Sequence, residues 1–312
     1  MNIMDMTSLL RIVSDRIRLR ILAALSVETL SVSELVSSLE ISQPRTSHHL
    51  ALLLKAGLVT VQRDGVRGFY SLNSDGIHAG LIDHIIASTA EDAELMNDRA
   101  RVVMQISRRR EERLTFFASL ADAWPKTVER WFDMEQYRSL VIDNIPAKRI
   151  TADLGCGPGW LLDELAEKAT CIIGVDHSPD VLSLARQHAA MKNLSNCDFR
   201  LGELEHLPIR DKEVECILFG LVLHYVVDPQ IVFNEASRIA GDNATLVIVE
   251  PYRHGNESAR EELGEIWMGF EVPELTDHLV RAGFASIRSR TINQQDPLLS
   301  LLVITAEKPH VT

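Results

Sequence analysis

A chain of 312 residues exceeds one typical domain, and 46% apolar with 24% charged residues is the balance of a soluble globular protein. The net charge of −12 argues against wholesale coating of nucleic acid, but it is unevenly spread: residues 1–75 hold eight Lys/Arg against seven Asp/Glu, the remainder twenty-four against thirty-seven. The opening MNIMDM lacks the basic start and apolar core of a secretory signal. The longest apolar run, Cys216 to Val227, is too short to span a bilayer, so no membrane partner is expected. Cys156, Cys171, Cys197 and Cys216 show no CxxC spacing and lie in strand-like or glycine-rich segments, which reads as buried thiols of a cytoplasmic protein.

In chain order, Leu9 to Leu25 carries a helical apolar stripe. Ser31 and Ser33 can cap a helix across Glu34–Leu39, and Ser42 can cap the next, Gln43–Lys55, which stops at Gly57. Leu58–Arg63 and Gly68–Leu72 alternate like two strands, with Asp64-Gly65 as the hairpin signal between them. This is the order of a winged helix-turn-helix. Its second helix would present Gln43, Arg45, Thr46, Ser47 and His48 to base edges, and the hairpin would bring Arg63 and Arg67 to phosphates. From Ile77 to about Asn144 the pattern stays helical, and the near absence of Pro and Gly suits a helical connector better than a disordered linker.

The texture changes at Ile150. Arg149–Leu154, Cys171–Val175, Cys197–Leu201, Val214–Phe219 and Thr245–Glu250 read as strands alternating with helices, the βαβ signature of a parallel sheet. Ser286–Ile292 and Leu298–Thr305 are separated by few residues and should pair antiparallel. After the first strand, Asp153-Leu154-Gly155-Cys156-Gly157-Pro158-Gly159 makes a tight glycine turn opening a helix at Trp160. A nicotinamide fold would want a third glycine where Trp160 stands, and Asp153 would repel a pyrophosphate. S-adenosylmethionine has no phosphate and carries a cationic amino-acid end, which a carboxylate suits. Asp176 closes the second strand where an acid can meet ribose hydroxyls, and Glu203 follows the third, near the adenine.

Two resemblances follow. Leu9 to Leu72, through RLRILAAL, LSVSELV, ISQPRTSHHLALLLKAGLV and GFYSL, resembles the ArsR/SmtB winged-helix repressors. That implies a homodimer reading a two-fold site on double-stranded operator DNA. The metal-sensing cysteines of that family are missing from LSVSELV. Asp75, His78, Asp83 and His84 lack ligand spacing, so no metal is expected. Thr151 to about Phe284, through DLGCGPG, GVDHSP, GELEHLP, LVLHYVVDP and IVEP, resembles class I methyltransferases. This implies their seven-stranded Rossmann-like sheet, with S-adenosylmethionine or S-adenosylhomocysteine held by Asp153, Gly155, Cys156, Gly157, Gly159, Asp176, His177, Gly202, Glu203 and Leu204. Phe219, Gly220, Leu221 and His224 would form the pocket wall. Upstream, Phe116-Phe117 and Ala121–Trp124 resemble a lid helix, so Trp124 and Tyr137 either touch the ligand or pack in the core.

The expected organisation is an α/β chain with a winged helix-turn-helix over 1–90, a helical connector and lid over 91–145, and a methyltransferase-fold domain over 146–312. The whole chain, including REELGEIWMGF, resembles regulators in which such a domain senses S-adenosylhomocysteine and controls methionine-cycle genes. The alternative is an active methyltransferase acting on a small molecule, with His224 and Tyr252 as candidate acid–base residues. Metal sensing is a distant third.

Overall fold

The computed structural model describes residues 3–64, 67–73, 76, 78–120, 124–147, 149–295 and 298–310, without the side chains of residues 3–5, 118–120, 124 and 125. The chain divides into two compact units, Met1–Ser119 and Leu120–Thr312.

The first unit is built from α1 (Ile3–Val13), α2 (Arg16–Leu25), β1 (Leu30–Ser31), α3 (Val32–Leu39), α4 (Gln43–Lys55), β2 (Val59–Asp64), β3 (Arg67–Leu72), α5 (Ala79–Ser88) and α6 (Ala93–Leu120). Ser31 caps α3 as expected, in a capping box whose other half is Glu34. Ser42 stands at the N-cap of α4 but makes no side-chain cap; Pro44 occupies the first turn instead. The hairpin pairs Val59–Asp64 with Leu72–Arg67 in register, and β1, too short to read from sequence, adds a third strand through Leu30 and Ser31. The Gly65 half of the expected turn lies outside the described residues, as does Asp75.

Ile21, Leu22, Leu35, Leu50, Leu53, Val102 and Ile106 share one core, so α6 packs with the helix-turn-helix. Charge reinforces that packing. Asp98 on α6 is completely buried; Arg20 of α2 grips it with Nε at 2.6 Å and Nη2 at 2.8 Å, and Arg101 adds a contact at 2.6 Å. The same guanidinium groups donate to the last carbonyls of α3, Arg20 to Leu39 and Arg101 to Ser38, each at 2.6 Å. Cations at a helix C-terminus meet unsatisfied carbonyls there, so α6 is locked to the helix that precedes α4.

The second unit contains α7 (Trp124–Trp131), α8 (Met134–Asn144), β4 (Ile150–Leu154), α9 (Leu162–Lys168), β5 (Cys171–Asp176), α10 (Pro179–Met191), β6 (Cys197–Leu201), β7 (Val214–Gly220), a 3₁₀ turn at Leu223–Tyr225, α11 (Pro229–Ile239), β8 (Ala240–Pro251), α12 (Glu257–Leu263), α13 (Val272–Arg281), β9 (Ala285–Ile292) and β10 (Leu301–Glu307). The sheet order is β6-β5-β4-β7-β8-β10-β9. The first five strands of the unit run parallel to one another, while β10 is antiparallel to both β8 and β9. This is the expected seven-stranded Rossmann-like sheet. The chain starts at β4, builds outward through β5 and β6, then returns to the other side of β4 with β7. The order therefore reverses between β4 and β7, the place where open α/β sheets leave a crevice beyond their carboxyl ends.

Candidate functional site

The crevice begins where β4 ends. Gly155 and Cys156 both donate backbone N–H groups to Val175 O, at 2.8 and 3.0 Å, which folds the chain sharply over the end of β5. Gly155 has φ +77° and lies so close to Val222 that a Cβ would sit 2.3 Å from its Cγ2. Gly157, at φ +56°, has nothing within 4 Å of the space a Cβ would fill. One glycine is thus required by packing, and the other leaves the backbone open to an incoming group. The helix after the turn starts at Leu162, not Trp160, because residues 157–161 are still turning.

Two acids frame the turn. Asp176 is filled by backbone donors, Gly157 N–H at 3.1 Å and Ser178 N–H at 2.9 Å. Asp153 is 3% exposed, and burial, reinforced by the Asp176 charge, pushes it up to about 7. A buried carboxylate held back from ionisation is stabilised by an arriving cation, so this donor set fits the cationic end of an adenosyl amino acid. Tyr137 of α8 closes the same region: its hydroxyl would lie 2.2 Å from a Cβ on Gly220. Burial and the Asp153 and Glu250 charges hold that phenol well above its usual range, so it remains a hydrogen-bond donor.

Several expected ligand residues serve other contacts. Phe219 is completely buried and packs edge-to-face on Phe233 of α11, 5.7 Å between centroids, so its ring belongs to the core. Cys156 is turned against β5, where its Sγ would lie 3.1 Å from a Cβ on Gly174, and burial pushes its thiol well up. Gly202 is needed where Pro208 crowds it, and its N–H reaches Asp176 O at 3.0 Å, which brings the half-buried Glu203 and Leu204 beside the end of β5. Gly159 lies against Leu162, and the His177 ring stays within 3.4 Å of Asp176. Leu221, at φ +53°, begins the turn beyond β7. The Trp124 side chain lies outside the described residues.

The sequence places Glu250 at the end of the fifth strand but assigns it no role. It is fully buried at the end of β8 and accepts from Val222 N–H at 2.6 Å, Leu223 N–H at 2.8 Å and His224 Nδ1 at 2.6 Å. The His224 ring is 1% exposed, and among the described residues its Nε2 has no hydrogen-bond partner. A carboxylate–imidazole pair of this form fixes the tautomer, with the proton on Nδ1 and a lone pair on Nε2. The available signal was a lone acid closing the apolar run Leu246–Val249. Tyr252, half-buried, bridges to Phe270 and donates its N–H to Ser300 O.

In the first unit, α4 exposes Gln43, Arg45, Ser47 and His48. Thr46 departs from expectation: it is completely buried, and its hydroxyl donates back to Ser42 O at 3.2 Å. With Leu50 and Leu53 it forms the inner face of the helix at four- and three-residue spacing. Arg63 and Arg67 are exposed at the end of the hairpin. Among the described residues, no three His, Cys, Asp or Glu side chains converge as a metal site requires.

Comparison with known proteins agrees with both units. Residues 15–61 match the bacterial regulatory protein family arsR, and residues 148–280 match a methyltransferase domain family. The arsenical resistance operon repressor of Staphylococcus aureus is 38% identical over 86 residues, 28% of this chain and 78% of the repressor. The arsenite methyltransferase of Halobacterium salinarum is 34% identical over 90 residues, 28% of this chain and 23% of that enzyme. Alignments to the first relatives span about a third or less of their length. Among solved structures, a chain from the complex of the Haloferax volcanii Trm112 methyltransferase activator with its methyltransferase covers 62% of this chain and 98% of its own at 21% identity, with a TM-score of 0.50; that likeness concerns the fold alone.

Proposed function

Because the chain belongs to the arsR family of bacterial regulatory proteins and continues into a class I methyltransferase domain, we propose that it is a transcriptional regulator, a repressor, whose second domain binds S-adenosylmethionine or S-adenosylhomocysteine as effector. Asp153 carries this reading: a buried acid at the end of β4, pushed up to about 7 and followed by the open backbone of Gly157, is a costly arrangement that a cationic ligand relieves. On the DNA side, α4 turns Gln43, Arg45, Ser47 and His48 outward while Thr46, Leu50 and Leu53 anchor it, which supports base reading by the first turns. The regulator acts as a homodimer on a two-fold site. Supporting this, α6 exposes Met96, Val103 and Leu114 about a quarter turn round from buried Leu95, Val102 and Ile106, with Met104 further round, an apolar stripe that a second copy would cover. Methionine and adenosyl-cycle genes are the expected targets, in the cytoplasm.

Ligand and DNA are linked by differential affinity: the adenosyl ligand shifts operator binding only as far as it prefers one state of the dimer. The test is selection of operator duplexes from a random pool, then gel shift with S-adenosylmethionine, S-adenosylhomocysteine and divalent metals added separately. A shift altered by an adenosyl ligand supports the regulator; indifference to both ligands refutes it, and dependence on metal alone supports metal sensing.

A second reading, methyl transfer to a small molecule, is favoured by the buried His224–Glu250 pair, whose Nε2 keeps a lone pair available to a proton. Arsenicals, which appear in the names of two relatives, would require convergent thiols. Here Cys156 and Cys216 are buried, and Cys171 and Cys197 are half-buried on neighbouring strands without a disulfide.

A further inference from the structure

Beyond the carboxyl ends of β7 and β8 lies a second group of polar atoms that the fold does not satisfy. Glu265 is 2% exposed, and among the described residues neither of its carboxylate oxygens has a hydrogen-bond partner. Beside it stands His254, whose Nε2 lies 3.2 Å from Oε2 but out of line for a hydrogen bond, so that nitrogen too is buried without a hydrogen-bond partner among the described residues. The other ring nitrogen, Nδ1, accepts the Asn256 backbone N–H at 3.3 Å, which leaves the imidazole proton on Nε2, facing the acid.

The backbone holds this pair firmly. His254 N–H donates to Met268 O at 3.0 Å and Arg253 N–H to Phe270 O at 3.1 Å. Ile266 and Trp267, the two residues after Glu265, donate their N–H groups to His224 O at 3.0 and 3.1 Å, and the Trp267 indole donates to Val226 O at 2.6 Å. Glu265 is thereby positioned beside the turn that carries His224, whose Nε2 is the third buried atom without a partner. That turn packs Val222 onto Gly155, so it also touches the glycine loop. Arg260 of α12, the nearest cation in sequence, directs Nη2 to Ile266 O and approaches Glu257 at 4.0 Å.

Apart from its approach to His254, no side-chain contact among the described residues accounts for the burial of Glu265. The end of α12 is closed by Gly264 at φ +72°, whose N–H reaches Arg260 O, and Glu265 itself adds only a backbone bond to the same carbonyl. A buried acid with two empty acceptors is unfavourable unless a donor arrives. We propose that Glu265 and His254 form a second binding site, which takes the amino or hydroxyl group of a small organic molecule next to the adenosyl site. An ammonium group or a vicinal diol can donate to both Glu265 oxygens and a single hydroxyl to one of them, while His224 Nε2 is a further acceptor on the neighbouring turn. The site goes beyond the effector reading, which it needs only for the identity of its neighbour.

The test uses the full chain and begins with calorimetric binding of S-adenosylhomocysteine; failure there removes the adenosyl reading and leaves the Glu265 measurements to be made on the free protein. Ethanolamine, ethylene glycol, phenol and catechol are then added as probes while thermal unfolding is followed. A probe at tenfold above its dissociation constant should raise the melting temperature by about 3–6 °C, and Glu265→Gln should abolish that rise while leaving homocysteine-ligand affinity unchanged. Without any probe, Glu265→Gln and Glu265→Met should melt at or above the wild-type temperature, because an unmet charge is removed. The proposal is overturned if both variants melt lower, which would make the Glu265–His254 pair structural, or if no probe shifts the wild-type protein.

Discussion

Replacing Glu250 by Ala removes the acceptor of three hydrogen bonds at 2.6, 2.8 and 2.6 Å and leaves two backbone N–H groups and an imidazole nitrogen buried beside an empty space. Each orphaned buried group costs about 1–3 kcal/mol, so the three together cost on the order of 4 kcal/mol after relaxation. In a unit of this size that corresponds to about 8–16 °C in melting temperature. Glu250→Gln keeps an acceptor for Val222 and Leu223 and loses only the charged contact to His224, so it should cost about 1–2 kcal/mol. Because Val222 packs on Gly155, the Ala variant should also weaken S-adenosylhomocysteine at least about tenfold, roughly 1.4 kcal/mol. Thermal unfolding of the full chain followed by circular dichroism, with calorimetry for the ligand, makes both comparisons. An Ala variant melting within about 2 °C of wild type would show that the carboxylate does not hold the turn, and the reasoning would fail.

Asp153 sets a pH dependence. Its folded value of about 7 exceeds the ordinary 3.8, so between these limits the folded chain keeps a proton that the unfolded chain has released. Its contribution to stability is therefore complete below about 3.8 and is lost as pH rises through about 7. Asp153→Asn should flatten that part of the urea-unfolding profile and abolish the strengthening of S-adenosylmethionine binding expected from pH 6 to 8. Gln43→Ala and Arg45→Ala should each relax operator specificity by about 1–3 kcal/mol without lowering the melting temperature. Arg63→Ala and Arg67→Ala should weaken all duplexes alike, each reducing the salt slope of binding by about one, as gel shifts over a range of salt would show. Asp98→Asn should destabilise the first unit by about 3 kcal/mol, since it leaves two guanidinium groups sharing a neutral amide; unchanged urea unfolding would contradict that clamp.

The alternation of strands and helices after Ile150 was enough to place the parallel sheet and the antiparallel closing pair, because buried strands and amphipathic helices differ in apolar period. Ser31 and Gly57 marked helix ends through local backbone chemistry, which sequence carries directly. Thr46 was misread although its spacing to Leu50 and Leu53 places it inside; its polarity hid a hydroxyl satisfied by its own helix. Phe219 could not be assigned a face, since β7 is apolar from Cys216 onward and shows no alternation there. The Glu265–His254 approach had no sequence signature at all, because loops eleven positions apart create it.

The buried Arg20–Asp98–Arg101 cluster gives the first unit the character of a detent. A helix seated by apolar side chains alone can slide by fractions of an ångström at little cost, whereas one seated by a buried ion cluster must either stay in register or release it entirely. With α6 pinned to the carbonyl ends of Ser38 and Leu39, the turn leading into α4 inherits that all-or-none behaviour. Displacing α6 would therefore have to break the Arg20 and Arg101 contacts to Leu39 and Ser38 before it could shift the turn ahead of α4.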